Sequence, residues 1–107
     1  MLCLTVLQPY AAQIIAGLKR REYRSWRVPG LVGQRLAIHA AQSLPDDARA
    51  LLERHGLPVV TGAVLGSVRI AGMQRTGDGW AWLLEDPVAL RRPVPAKGKQ
   101  KLWTFAR

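Results

Sequence analysis

Lys19, Glu22 and Arg24 are the densest group of residues in this chain whose types could do chemistry, set within Gly17-Leu18-Lys19-Arg20-Arg21-Glu22-Tyr23-Arg24-Ser25-Trp26. On an extended strand, side chains two residues apart share a face, so Glu22 and Arg24 point the same way with Lys19 near the start. A carboxylate between two cations is either an ion-paired base or a structural tie, and spacing alone does not choose between them. Arg35 is a second cation that could tie Glu22. A lysine acts as a base only when held neutral, which burial and neighbours such as Arg20 and Arg24 would favour. The same cations on a strand serve as phosphate contacts, and that is the reading preferred for Lys19 and Arg24. Tyr10 and Trp26 can each stack an unpaired base or cap an apolar core. Lys97-Gly98-Lys99 has the form of a loop that brings backbone close to a phosphate, although basic glycine turns are common.

The remaining reactive side chains read as structural. His39 lies in the apolar run Leu36-Ala37-Ile38-His39-Ala40 and is expected to be a satisfied, partly buried histidine. His55 suits a helix C-terminus, and Cys3 a small buried apolar position. With one cysteine and two histidines, neither a disulfide framework nor a conventional structural zinc site is available. No metal and no cofactor is expected. The lone cysteine fits a reducing, cytoplasmic compartment.

Charge narrows the partner. The formal net charge is +9 over 107 residues, enough for a single domain, 1–107, and too few for two cores. Residues 19–35 carry six cations against Glu22, residues 36–90 four arginines against six acids, and residues 91–107 six cations with no acid. The positive charge therefore belongs to two segments flanking a mildly acidic middle. Facing one groove, they would form a track for phosphates interleaved with Tyr23, Trp26 and Trp103. Otherwise they are a solubilising surface.

The elements that must position these residues follow from periodicity. The uncharged residues 1–18 have no basic region before them and are interrupted by Gln8-Pro9 and Gln13, which argues against a signal or membrane segment. Leu2 to Leu7 reads as a buried strand. Ala11, Ile14, Ile15 and Leu18 follow at helical spacing, with Gly17 as a stop. Arg20 to Trp26 and Leu36 to Ala40 read as strands. Ser43, with Asp46 three residues on and Pro45 in the first turn, predicts the start of a second helix that ends at His55-Gly56. Val64, Gly66, Val68, Ile70 and Gly72 alternate along one strand face, Thr76 to Gly79 make a turn, and Trp80, Trp82 and Leu84 share the next face. Pro93 and Pro95 end that strand, and Leu102 to Phe105 closes the chain. Five or six short, glycine-bent strands with two helices predict an α+β fold, a small barrel rather than a sandwich or doubly wound sheet.

Several separated motifs, in order, resemble the ASCH domain, named for the activating signal cointegrator. They are Leu4-Thr5-Val6-Leu7-Gln8-Pro9-Tyr10-Ala11, the Gly17 to Trp26 run, Ile38-His39-Ala40, Gly62-Ala63-Val64-Leu65-Gly66-Ser67-Val68, Trp80-Ala81-Trp82-Leu83-Leu84-Glu85-Asp86-Pro87, Pro93 to Gly98, and Leu102-Trp103. The resemblance implies a PUA-like β-barrel with helices beside a cleft, and RNA or an RNA-derived nucleotide as partner. The implied cleft is lined by Gln8, Pro9, Tyr10, Lys19, Glu22, Arg24 and Trp26, with Lys97 and Trp103 closing it. Among relatives it implies two activities, hydrolysis of an acetylated cytidine and cleavage of single-stranded RNA. The amidohydrolase branch uses a Lys, a Thr three residues later and a separate Glu. Lys19 matches the first, Glu22 stands at the second, and the separate Glu has no clear counterpart.

Three functions follow, in order. The first is a module binding single-stranded RNA or a modified nucleotide, with phosphate contacts from Lys19, Arg20, Arg24, Lys97 and Lys99 and a base stacked on Tyr10 or Trp26. DNA is a further polyanion such a cleft would accept. The second is a hydrolase of an acylated nucleoside or of single-stranded RNA, with Lys19 and Glu22 as base and partner. The third is a protein-interaction module. No membrane partner is expected, and oligomeric state is not legible.

Overall fold

The hydrophobic alternation of Leu2, Leu4 and Val6 makes the first strand, β1 (Leu2–Val6), the spine of the molecule. The structure, a computed structural model, describes residues 1–105. Arg107, the last cation of the C-terminal basic segment, lies outside the described residues. Helix α1 (Tyr10–Ile15) follows, then β2 (Arg21–Arg24), a 3-10 turn (Pro29–Leu31), β3 (Arg35–Ala40) and α2 (Ala48–Arg54). The long strands β4 (Ala63–Arg75) and β5 (Trp80–Pro95) and the short β6 (Leu102–Thr104) complete it.

The strands form one six-stranded sheet in the order β2-β5-β4-β3-β1-β6. β1 pairs with β3 in parallel and with β6 antiparallel, so the last strand joins the first. The sheet curls into a half-barrel, and the Arg24 guanidinium of edge strand β2 reaches the carbonyl of Thr5 in β1 at 3.0 Å. A curled six-stranded sheet with two helices is the α+β barrel architecture that the strand pattern predicts, and it is consistent with the PUA-like barrel that the resemblance implies, although β4 and β5 are long strands. Leu4, Val6, Leu36, Ile38, Val68 and Trp82 fill the inside, with Ala11 and Ile14 of α1 seated on them. A smaller cluster, Cys3, Ala37, Val64 and Trp103, lies apart from it.

Two local details differ from the sequence reading. Val64 does not share a face with Val68 and Ile70, because β4 carries one extra residue against β3 between Val64 and Gly66. Such a bulge switches the side-chain face while tightening the curl. Gly66 sits at this step, where a Cβ would collide with the Val88 carbonyl oxygen. Helix α2 starts at Ala48 rather than Ser43, with no side-chain cap. Pro45 disfavours a helical conformation at Leu44, so the chain first makes a turn, Ala48 N–H to Pro45 C=O at 3.0 Å. Strand β5 ends at Pro95, as Pro93 and Pro95 predict, where it pairs with Ala63 of β4.

Candidate nucleic-acid interface

Strand alternation places Glu22 and Arg24 on one side of β2, and their side chains bond directly. Arg24 Nε and Nη2 lie 2.9 and 2.8 Å from Glu22 Oε2, while Lys19 Nζ lies 3.3 Å from Glu22 Oε1. Glu22 is only 8% exposed, so a charge this buried requires the two cations. Lys19 also donates to the Arg21 carbonyl and sits 5.9 Å from the ring centre of Tyr10 and 5.3 Å from that of Tyr23. Both rings are exposed, so the ammonium lies between two accessible aromatic faces. Arg35 is not Glu22's partner; it bonds Ser67 and the Asp86 carbonyl.

The second polar group is centred on Thr5. The Ala96 carbonyl can only accept, so His39 Nε2, 2.6 Å away, donates to it. His39 Nδ1 then accepts from the Thr5 hydroxyl at 3.2 Å. The same hydroxyl oxygen accepts the Trp103 indole N–H at 3.0 Å, with the Trp103 ring edge-on to His39. The chain indole–hydroxyl–imidazole–carbonyl fixes the segment after β5 against β1 and β3. Beside it, Thr5, His39, Gln42, Lys97, Gly98 and Lys99 line an open depression of about 340 Å³. Gly98 is pressed so close that a Cβ would lie 2.7 Å from His39 Cε1 and 2.8 Å from Thr5 Oγ1.

Thr5 thus joins two segments remote in sequence: its carbonyl holds Arg24, and its hydroxyl lies under Gly98. Lys97 and Lys99 are exposed beside it. Lys19 and Arg20 border a separate depression of about 310 Å³ with Gly17, Leu84, Glu85 and Asp86, so the expected cleft residues lie around two depressions. Gln8 is fully buried, its amide nitrogen donating to the Val60 carbonyl at 2.7 Å and its oxygen accepting from Ala12 N–H at 3.0 Å. Pro9 is buried beside it. Trp26 packs edge-on to Trp82 at 4.9 Å, and its carbonyl accepts the Trp82 indole N–H. Trp103 is buried under the segment it anchors. Of the four expected aromatic or apolar contacts, Tyr10 alone is exposed; Tyr23, across Lys19 from it, is a further accessible ring.

Thr5 carried no weight in the sequence beyond its motif. A polar residue alternating into an apolar strand was its only signal, and its partners lie 34 and 98 residues away. Among the described residues, no group of three or more His, Cys, Asp and Glu could hold a metal ion. No helix there is long and apolar enough to cross a membrane.

The family model described as the ASCH domain matches residues 4–92. No curated protein matches the chain. The crystal structure of ASCH from Zymomonas mobilis is similar to it with a TM-score of 0.69 at 16% identity, covering 99% of this chain and 87% of that one. Crystal structures of two mutant proteins of ZmASCH from the same organism give TM-scores of 0.67 at 17% identity, each over 99% of this chain and over 87% and 89% of theirs. At that identity the likeness is one of fold.

Proposed function

Because the chain belongs to the ASCH domain family, we propose that it binds single-stranded RNA or an RNA-derived nucleotide through the surface that joins β2 to the Lys97–Lys99 loop. The carrying observation is that the two cationic segments meet at Thr5, through Arg24 on one side and Gly98 on the other. Lys97 and Lys99 supply backbone charge, and Tyr10 and Tyr23 flank Lys19 as surfaces on which a base stacks. The test is a fluorescence-anisotropy titration of a short single-stranded RNA, and of the matching DNA, at two salt concentrations. Binding is expected to weaken steeply with salt, by about 0.7 in log–log slope per single-strand phosphate engaged. The Lys97→Glu/Lys99→Glu variant is expected to lose affinity and slope together. Salt-insensitive binding, or none at low salt, would remove this reading.

One observation favours a second reading, hydrolysis of an acylated nucleoside or of single-stranded RNA: Lys19 Nζ lies 3.3 Å from Glu22 Oε1, close enough for a proton to pass between a base and its partner. Assays with acylated nucleosides and RNA, with and without divalent metal, decide it. Turnover that disappears in a folded Lys19→Ala protein supports the enzyme, and absence of turnover from the intact protein rules it out.

A further inference from the structure

The β4–β5 hairpin ends on a second group of cations, away from Thr5. Arg75 and Trp80 are the last paired residues of that hairpin, and Trp80 also faces Arg24 across the β2–β5 ladder. The Arg27 guanidinium lies 4.6 Å from the Trp80 ring centre and that of Arg75 lies 5.6 Å from it. Both arginines are exposed and Trp80 is half-buried, so one fixed indole gathers two solvent-facing guanidiniums. Neither has a carboxylate within ion-pair distance among the described residues, whereas Arg24 is paired with Glu22 and Arg69 with Asp86.

Like charges converging without an acid between them repel, and the ring offsets only part of that. A guanidinium held near an aromatic ring by its charge keeps N–H donors that can meet phosphate oxygens in pairs. The stack also restricts the two side chains before any ligand arrives, which reduces the ordering cost of binding. Asp78, in the adjoining turn, is exposed and makes no ion pair with them.

Position says which anion suits the pair. An open depression of about 260 Å³, lined by Tyr23, Arg24, Ser25, Gly79 and Trp80, connects the Tyr23 ring beside Lys19 to Trp80. An RNA strand with a base on Tyr23 would therefore carry its next phosphates along this depression to the arginines at Trp80. We propose that Arg27 and Arg75, held on Trp80, grip a backbone phosphate of a single RNA strand and extend the interface beyond the nucleotide seated near Lys19 and Thr5. This rests on the RNA-binding reading above.

The experiment compares labelled single-stranded RNAs of four and twelve nucleotides, titrated across a salt series with the full chain and with Arg27→Gln/Arg75→Gln. Both positions are exposed, and an unchanged thermal transition checks that the variant is folded. The twelve-nucleotide RNA is expected to bind the variant about tenfold more weakly, with the salt slope reduced by about 0.7 for one lost phosphate, while the four-nucleotide RNA binds both proteins alike. Equal losses for both lengths, or no change for the longer RNA while Lys97→Glu/Lys99→Glu still weakens it, would overturn the second contact and leave the first interface standing. Failure of the unmutated chain to bind either RNA at low salt would overturn both.

Discussion

Thr5 serves two partners with two different groups, and they separate cleanly under substitution. Its carbonyl, which receives Arg24, survives any side-chain change; its hydroxyl, shared by Trp103 and His39, does not. Thr5→Val keeps the shape but leaves the indole N–H and His39 Nδ1 without partners, so we predict a loss of about 1–3 kcal/mol in urea denaturation. Cys3 gives a pH prediction. Burial pushes its thiol up from 9.0 to about 12. The folded state therefore holds this proton more tightly than the unfolded chain, and the stability it contributes is complete below pH 9.0 and is lost as pH rises toward about 12. Denaturation midpoints should fall more steeply across that interval in the native protein than in Cys3→Ala. The burial of Cys3 and His39 was legible from their apolar neighbours, but the hydrogen-bond partners of His39 were not. Periodicity reports which face a side chain occupies and says nothing of what a distant segment lays upon it.

At the scale of elements, the segment between β5 and β6 is held by contacts rather than by regular structure. Its Ala96 carbonyl accepts the hydrogen bond from His39 Nε2, and Gly98 lies in van der Waals reach of Thr5 and His39. A methyl group at position 98 meets side chains already fixed by hydrogen bonds, so the loop must lift. Gly98→Ala should weaken RNA binding by about tenfold, ~1.4 kcal/mol, while the thermal transition moves far less than in Thr5→Val. The sequence marked this glycine as part of a phosphate-approach loop or a basic turn, not as a packing position. It located β1, β3 and the Thr76–Gly79 turn, because each is a short periodic run with clear punctuation. It misplaced the start of α2 and the faces of β4, because a capping pattern is overridden by Pro45 and a bulge is set by the partner strand.

For the whole molecule, the issue is whether charge acts by total or by place. Arg49 and Arg54 are exposed on α2, a helix that contributes nothing to either depression bordered by the candidate cations. Reversing both, Arg49→Glu/Arg54→Glu, lowers the net charge as much as reversing Lys97 and Lys99. A localised interface predicts that the α2 variant keeps its RNA affinity within about twofold at moderate salt, where the Debye length is ~8–10 Å. The Lys97 and Lys99 variant should lose most of it. Equal losses in the two proteins would mean that total charge governs binding and that the Thr5 surface is not the site.

By itself the sequence determined the class of the fold, the family and the placement of positive charge in two segments, because each is written in local periodicity, motif order or composition. It also placed Glu22 and Arg24 on one face, since a strand brings alternate residues together, and the structure chose Arg24 over Arg35 as the partner. The tertiary structure alone decided that Gln8 and Trp103 are sealed inside, that Tyr23 joins Tyr10 around Lys19, and that Arg27 and Arg75 share one indole. Those facts depend on β6 pairing with β1 and on the curl that brings β2 to Thr5. Side-chain exposure at a cleft is set by which strand ends a bulged sheet brings face to face, and no local pattern carries that distance.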